Sequence, residues 1–74
     1  MIINIKLVGL FQIGHFKQMD RIFPAGITAQ GIIDDLQLPQ VHIGTILING
    51  VHTGRDTELF DGDKLVILPL LGGG

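Results

Sequence analysis

The sequence predicts an α+β domain, a mixed sheet of four to five strands with one main helix on one face. Three observations lead to it. Ile3, Ile5 and Leu7 alternate with Asn4 and Lys6, the period of a half-buried strand. A single helix start stands at Thr28, followed by the apolar stripe Ile32, Ile33 and Leu36. Two turn signatures come after it, Asn49-Gly50 and Asp61-Gly62-Asp63, both set among apolar extended runs. One helix covers one face of such a sheet and leaves the other open.

The elements follow in order. After the first strand, "GLFQIGH" holds two glycines and breaks the alternation, so it predicts a loop. A second extended segment covers about 19–23 and ends at "PAG". Thr28 is then the N-cap; Ile27 before it and Ile32 at the fourth helical position have the spacing of a hydrophobic staple. Asp34 and Asp35 face water on this helix. Gly31 costs it about 1 kcal/mol relative to Ala, so the helix depends on packing. Pro39 prevents it from continuing. "TILINGVH" predicts a hairpin, since Asn49-Gly50 suits the two positive φ angles of a type I′ turn. Asp61-Gly62-Asp63 then reverses the chain, and Leu65 to Leu68 run extended.

Composition sets the limits. At 74 residues the chain is one domain, near the lower size limit for folding without staples, and it has no cysteine to supply one. Its 46% hydrophobic content suffices for one core. A formal charge of −2 and the lack of any basic run argue against nucleic acid. "MIINIKLVGL" contains Asn4 and Lys6 and is too short to span a membrane, and it lacks the basic lead and small-residue cleavage site of a signal peptide, so a cytoplasmic location is expected. The mean hydropathy of +0.49 is high for so small a domain and predicts apolar side chains left outside, hence a docking surface.

Alternation assigns the faces. Leu65, Ile67, Ile46 and Ile48 point toward the helix, whereas Val66, Leu68 and Leu47 point to the open side. His15, His42 and His52 have neither regular spacing nor cysteine allies, so no metal site is expected. Asp61 and Asp63 lack the twelve-residue pattern of a calcium loop and read as turn residues. No nucleophile–base grouping or phosphate loop supports catalysis.

Taken together, "INGV", "ELFDGDKLVILP", the helix start "PAGIT" and the final glycines resemble the MoaD/ThiS family of ubiquitin-like sulfur carriers, which have the β-grasp fold. The likeness spans essentially the whole chain. There are departures: Leu70 stands where relatives often have a second Pro, Gly72 where Ala or Ser is frequent, and Arg21 where relatives are apolar, its stem expected along the sheet edge. The first loop, from Gly9 to about Gln18, is longer than in thiamin-type carriers and closer to the molybdopterin type. "NG" and "DGD" also occur in TGS-like binding modules, and a ubiquitin-like modifier conjugated through Gly74 would carry the same tail.

The resemblance implies a non-enzymatic carrier with a β-grasp domain over 1–71 and a flexible glycine tail over 72–74. Gly74 would be the sulfur-carrying residue and Gly73 its unhindered neighbour. A carboxylate is fully ionised at neutral pH and a poor acyl electrophile. In the family, a ubiquitin-activating-type adenylyltransferase uses ATP to join AMP to it, a sulfur donor protein displaces the AMP, and a downstream synthase subunit consumes the thiocarboxylate. No bound cofactor, nucleic acid or membrane is implied. Glycine leaves the acyl carbon open on both faces, and the segment from Pro69 to Gly74 reaches about 20 Å when extended at ~3.3 Å per residue. Leu47, Val66 and Leu68 match the apolar recognition patch of ubiquitin; with Leu70, Leu71 and Gly72 they are the expected partner-binding residues.

Overall fold

The computed structural model describes residues 1–70. Leu71, Gly72, Gly73 and Gly74 lie outside the described residues, and with them the expected boundary between domain and tail.

The strands are β1 (Ile2–Leu7), β2 (Gln18–Ile22), β3 (Ile43–Ile48), β4 (Val51–His52) and β5 (Lys64–Pro69), with the helix α1 at Ala29–Asp35. They form one sheet in the order β2-β1-β5-β3-β4. The central β1 and β5 run parallel, and every other neighbouring pair is antiparallel. The sheet is therefore mixed, with α1 on one face, as predicted.

Alternation sorts the two faces. Ile3, Ile5, Leu7, Leu65 and Ile67 are fully buried and pack with Ala29, Ile32, Ile33 and Leu36 of the helix segment. Burial of each such aliphatic side chain contributes about 1.5–3 kcal/mol. Among the described residues no polar side chain is buried. The expected loop after β1 is partly ordered by a 3-10 turn, Gly9–Gln12, which drops Phe11 into the core. β2 begins and ends one residue before its expected bounds.

The start of α1 is held from two sides. Thr28 Oγ1 accepts from the Gly31 N–H at 3.1 Å. The Ala29 and Gln30 N–H groups, which have no partner inside the helix, donate to the carbonyls of Thr57 and Arg55. Gly31 is tolerated because Ile27 folds over it: a Cβ there would lie 2.8 Å from Ile27 Cδ1. The helix stops before Pro39 can act. Gln37 takes φ +56°, its N–H donates to Asp34 O, and the Leu38 N–H donates to Ile33 O. That is a Schellman closure built on glutamine instead of glycine. Asp34 and Asp35 are exposed, as expected, and also bonded: Asp34 accepts from Gln30 and Gln40, and Asp35 from Arg21 on the edge strand β2.

The β3–β4 turn has the positive φ angles expected of it, +52° at Asn49 and +82° at Gly50. Its partner is the other turn. Asn49 Nδ2 donates to Asp63 Oδ1 at 2.9 Å, and Asn49 Oδ1 accepts from the Lys64 N–H at 3.0 Å. Asp61 Oδ1 accepts from the Ile2 N–H at 2.7 Å, which secures the start of β1. Two motifs that look like separate turns in the sequence thus form one hydrogen-bonded corner.

Candidate functional site

The open face is built row by row from the strand pairing. Gln18, Lys6, Val66, Leu47 and His52 lie side by side across all five strands. Val66 and Leu47, directly paired, are half-buried, and Leu68 stands two residues beyond Val66 on the same face of β5. This apolar half faces no helix. The other half, on β1 and β2, is polar: Gln18 donates to Asn4 and Asn4 donates to Asp20, both at 2.8 Å. Lys6 stands between the halves and Lys64 lies one row below, so the apolar strip has a cationic flank.

β5 carries that strip to Leu70, the last of the described residues. Its last rung pairs Pro69 with Ile43. Beyond it the Leu70 N–H donates to the His42 carbonyl at 2.8 Å, while the Leu70 side chain is half exposed. Leu47, Val66, Leu68 and Leu70 therefore lie along β3, β5 and the segment that leaves it. Of the other expected site residues, Leu71, Gly72, Gly73 and Gly74 are outside the described residues.

Two features escaped the sequence reading. Beside Leu70, whose N–H bonds to His42, a cleft of about 310 Å³ is lined by Leu10, Phe11, Ile13, His15, Leu38, Pro39 and His42. Leu10 and Ile13 are 68% and 75% exposed, and Val41 is 78% exposed. His15 closes one side, with Nε2 3.0 Å from Leu36 O and Nδ1 3.2 Å from Ile13 O. At the opposite corner of the open face, Ile2 and Ile22 form a directly paired, exposed apolar couple. The only sequence signal for either was the surplus of apolar residues that the strand and helix periods left unassigned. Among the described residues, no His, Asp and Glu side chains gather in threes as a metal site would require, and no helix is long and apolar enough to cross a membrane.

The fold has close structural likenesses. SAMP1 from Haloferax volcanii superposes with a TM-score of 0.78 at 18% identity, covering 100% of both chains. A second crystal structure of that small archaeal modifier protein 1 gives 0.74 at 18% identity, over 92% of this chain and 95% of the other. Subunit 1 and 2 of molybdopterin-converting factor from Helicobacter pylori are known as a protein–protein complex, to which this chain is similar with a TM-score of 0.66 at 20% identity, covering 100% of both chains. At these identities the likeness establishes the β-grasp fold alone. No curated protein matches by sequence. Residues 10–74 match the sequence pattern of the ThiS family. With nearly the whole chain inside that pattern and a single-helix β-grasp sheet beneath it, the chain belongs to the ThiS family of small carrier proteins, which are not enzymes.

Proposed function

We propose that the chain is a sulfur carrier whose C-terminal carboxylate, on Gly74, is adenylated and then converted to a thiocarboxylate. The observation that carries this reading is the continuity of the apolar strip with the tail. Leu47, Val66 and Leu68 lead along β5 to the half-exposed Leu70, and the chain beyond ends in glycines. A partner seated on the strip has the acyl end within reach. In the first step a carboxylate oxygen attacks the α-phosphorus of ATP and pyrophosphate leaves. In the second, the outer sulfur of a donor protein's persulfide attacks the acyl carbon and AMP leaves. A thiol then attacks the donor's own sulfur, the S–S bond breaks, and the thiocarboxylate departs while donor and thiol remain as a mixed disulfide. Both steps use the partner's catalytic groups. This chain supplies the docking strip and an unhindered acyl carbon, with Gly73 as the neighbour that keeps it so.

The sulfur's destination is more in keeping with a molybdopterin- or tungstopterin-type cofactor than with thiamin. The long segment between β1 and β2 supports this, as does the likeness to molybdopterin-converting factor. The downstream partner would then be a synthase subunit. A second reading, conjugation to lysines through Gly74, draws on the likeness to SAMP1.

Intact-mass measurement on protein from its native host separates the readings. A carrier gains the mass of sulfur replacing one oxygen, whereas a modifier leaves a branched Gly-Gly remnant on target lysines after digestion. Gly73→Val is expected to fold as wild type and to resist adenylation. Loss of folding in that variant, or full function after the glycines are deleted, refutes the carrier reading.

A further inference from the structure

We propose that Gly44 is a positioning residue that sets the direction in which the C-terminal segment leaves the body. This role rests on the carrier reading, since it matters only if the acyl end must be delivered to a partner's site.

Gly44 does not serve a turn. Five other glycines of the body, Gly9, Gly14, Gly26, Gly50 and Gly62, have positive φ, and Gly44 does not. What distinguishes it is close approach. A Cβ at Gly44 would lie 2.8 Å from Pro69 O, 2.9 Å from Leu70 Cα and 3.0 Å from Leu70 N. All three are backbone atoms, so none can swing aside as a side-chain tip can. The pairing shows how the approach arises. Ile46 faces Ile67 and Ile43 faces Pro69, so Gly44 and Thr45 together stand opposite Leu68 alone. This bulge bends β3 against the end of β5 and brings the His42 carbonyl to the Leu70 N–H. From the other side Gly9 seats the Pro69 ring; a Cβ there would lie 3.3 Å from Pro69 Cγ. Pro69 and Leu70 are thus gripped by two backbone surfaces without side chains and tied by one hydrogen bond. Any side chain at 44 displaces Pro69 and Leu70 while Leu47 and Val66, the centre of the docking strip, stay in place.

Two measurements test this. The first is amide hydrogen exchange on the wild type and on Gly44→Ala. The Leu70 amide is expected to be protected in the wild type and to lose about tenfold or more of that protection in the variant, with the Ile5 and Leu65 amides unchanged. A Leu70 amide that exchanges freely in the wild type overturns the proposal, as does a variant that no longer unfolds cooperatively, which would make Gly44 a structural residue only. The second is steady-state adenylation by a ubiquitin-activating-type adenylyltransferase that acts on carriers of the MoaD/ThiS family, read as pyrophosphate release. In Gly44→Ala, KM is expected to stay within about twofold because Leu47, Val66 and Leu68 keep their places and only Leu70, at the margin of the strip, moves. The expected fall in kcat is about a hundredfold, the scale of a misplacement of about 1 Å. Unchanged kcat in the variant overturns the positioning role and leaves the carrier reading standing. A wild type that no such enzyme adenylates overturns the carrier reading itself, whatever the exchange data show.

Discussion

Asn49 shows how much a single residue carries in a domain of this size. It accepts a left-handed backbone, for which asparagine is among the better non-glycine residues. Its amide nitrogen donates to Asp63 and its amide oxygen accepts from the Lys64 N–H. Asp63 in turn accepts from the Phe60 N–H at 2.8 Å. Asn49→Ala removes both side-chain bonds, each contributing about 0.5–1.5 kcal/mol, and places a Cβ-bearing residue without local hydrogen bonds at φ +52°. The expected loss is about 2–3 kcal/mol, measured as a lower urea midpoint at unchanged m-value. A loss below about 0.5 kcal/mol would mean that the corner is held by its backbone bonds alone. In the sequence, Asn49-Gly50 and Asp61-Gly62-Asp63 were each legible as turns. Their mutual bonding was not, because it depends on β3 and β5 being neighbours.

At the level of the element, α1 is a seven-residue helix, too short to be stable alone. Its N-cap was legible because capping is local: Thr28 bonds to Gly31 three residues on. Its end was not. Pro39 drew attention as the stop, yet the helix turns at Gln37, whose side chain gives no hint of a left-handed residue. Leu38 is pulled into the core, 3% exposed, and the backbone at Gln37 takes the strain that this requires. Gln37→Gly should therefore stabilise the protein, by about 0.5–1 kcal/mol, since glycine adopts that conformation without the Cβ penalty. Thermal unfolding reads the gain as a rise of several degrees, at about 4–8 °C per kcal/mol for a domain this small. No rise in Tm would mean that Gln37 makes compensating contacts with its neighbours.

Across the whole molecule, the division between a covered and an open face separates the residues that hold the fold from those of the proposed docking strip. Ile67 and Val66 are adjacent on β5. Ile67 is fully buried under α1, whereas Val66 stands half-buried on the open face between Lys6 and Leu47. Ile67→Ala should cost about 2–5 kcal/mol, a large share of the roughly 5–15 kcal/mol available to a domain, and leave much of the protein unfolded by circular dichroism. Val66→Asp should leave unfolding nearly unchanged and raise the KM for adenylation, because the charge enters the proposed docking strip next to Leu47. If Val66→Asp lowers stability as much as Ile67→Ala, or leaves KM unaltered, the open strip is not the docking surface.

Local chemistry determined what the sequence could determine alone. Period-two alternation sorted Leu65 and Ile67 from Val66 and Leu68, the Thr28 cap placed the helix start, and the glycine-containing turns placed the strand ends. Each depends on residues a few positions apart. The tertiary structure alone decided the parallel pairing of β1 with β5, the corner joining Asn49 to Asp63, the turn at Gln37, the exposure of Leu10, Ile13 and Val41, and the contact of Gly44 with Pro69 and Leu70. Most of these join segments far apart in the chain, and whether a glycine serves a turn or a close approach depends on which backbone passes beside it.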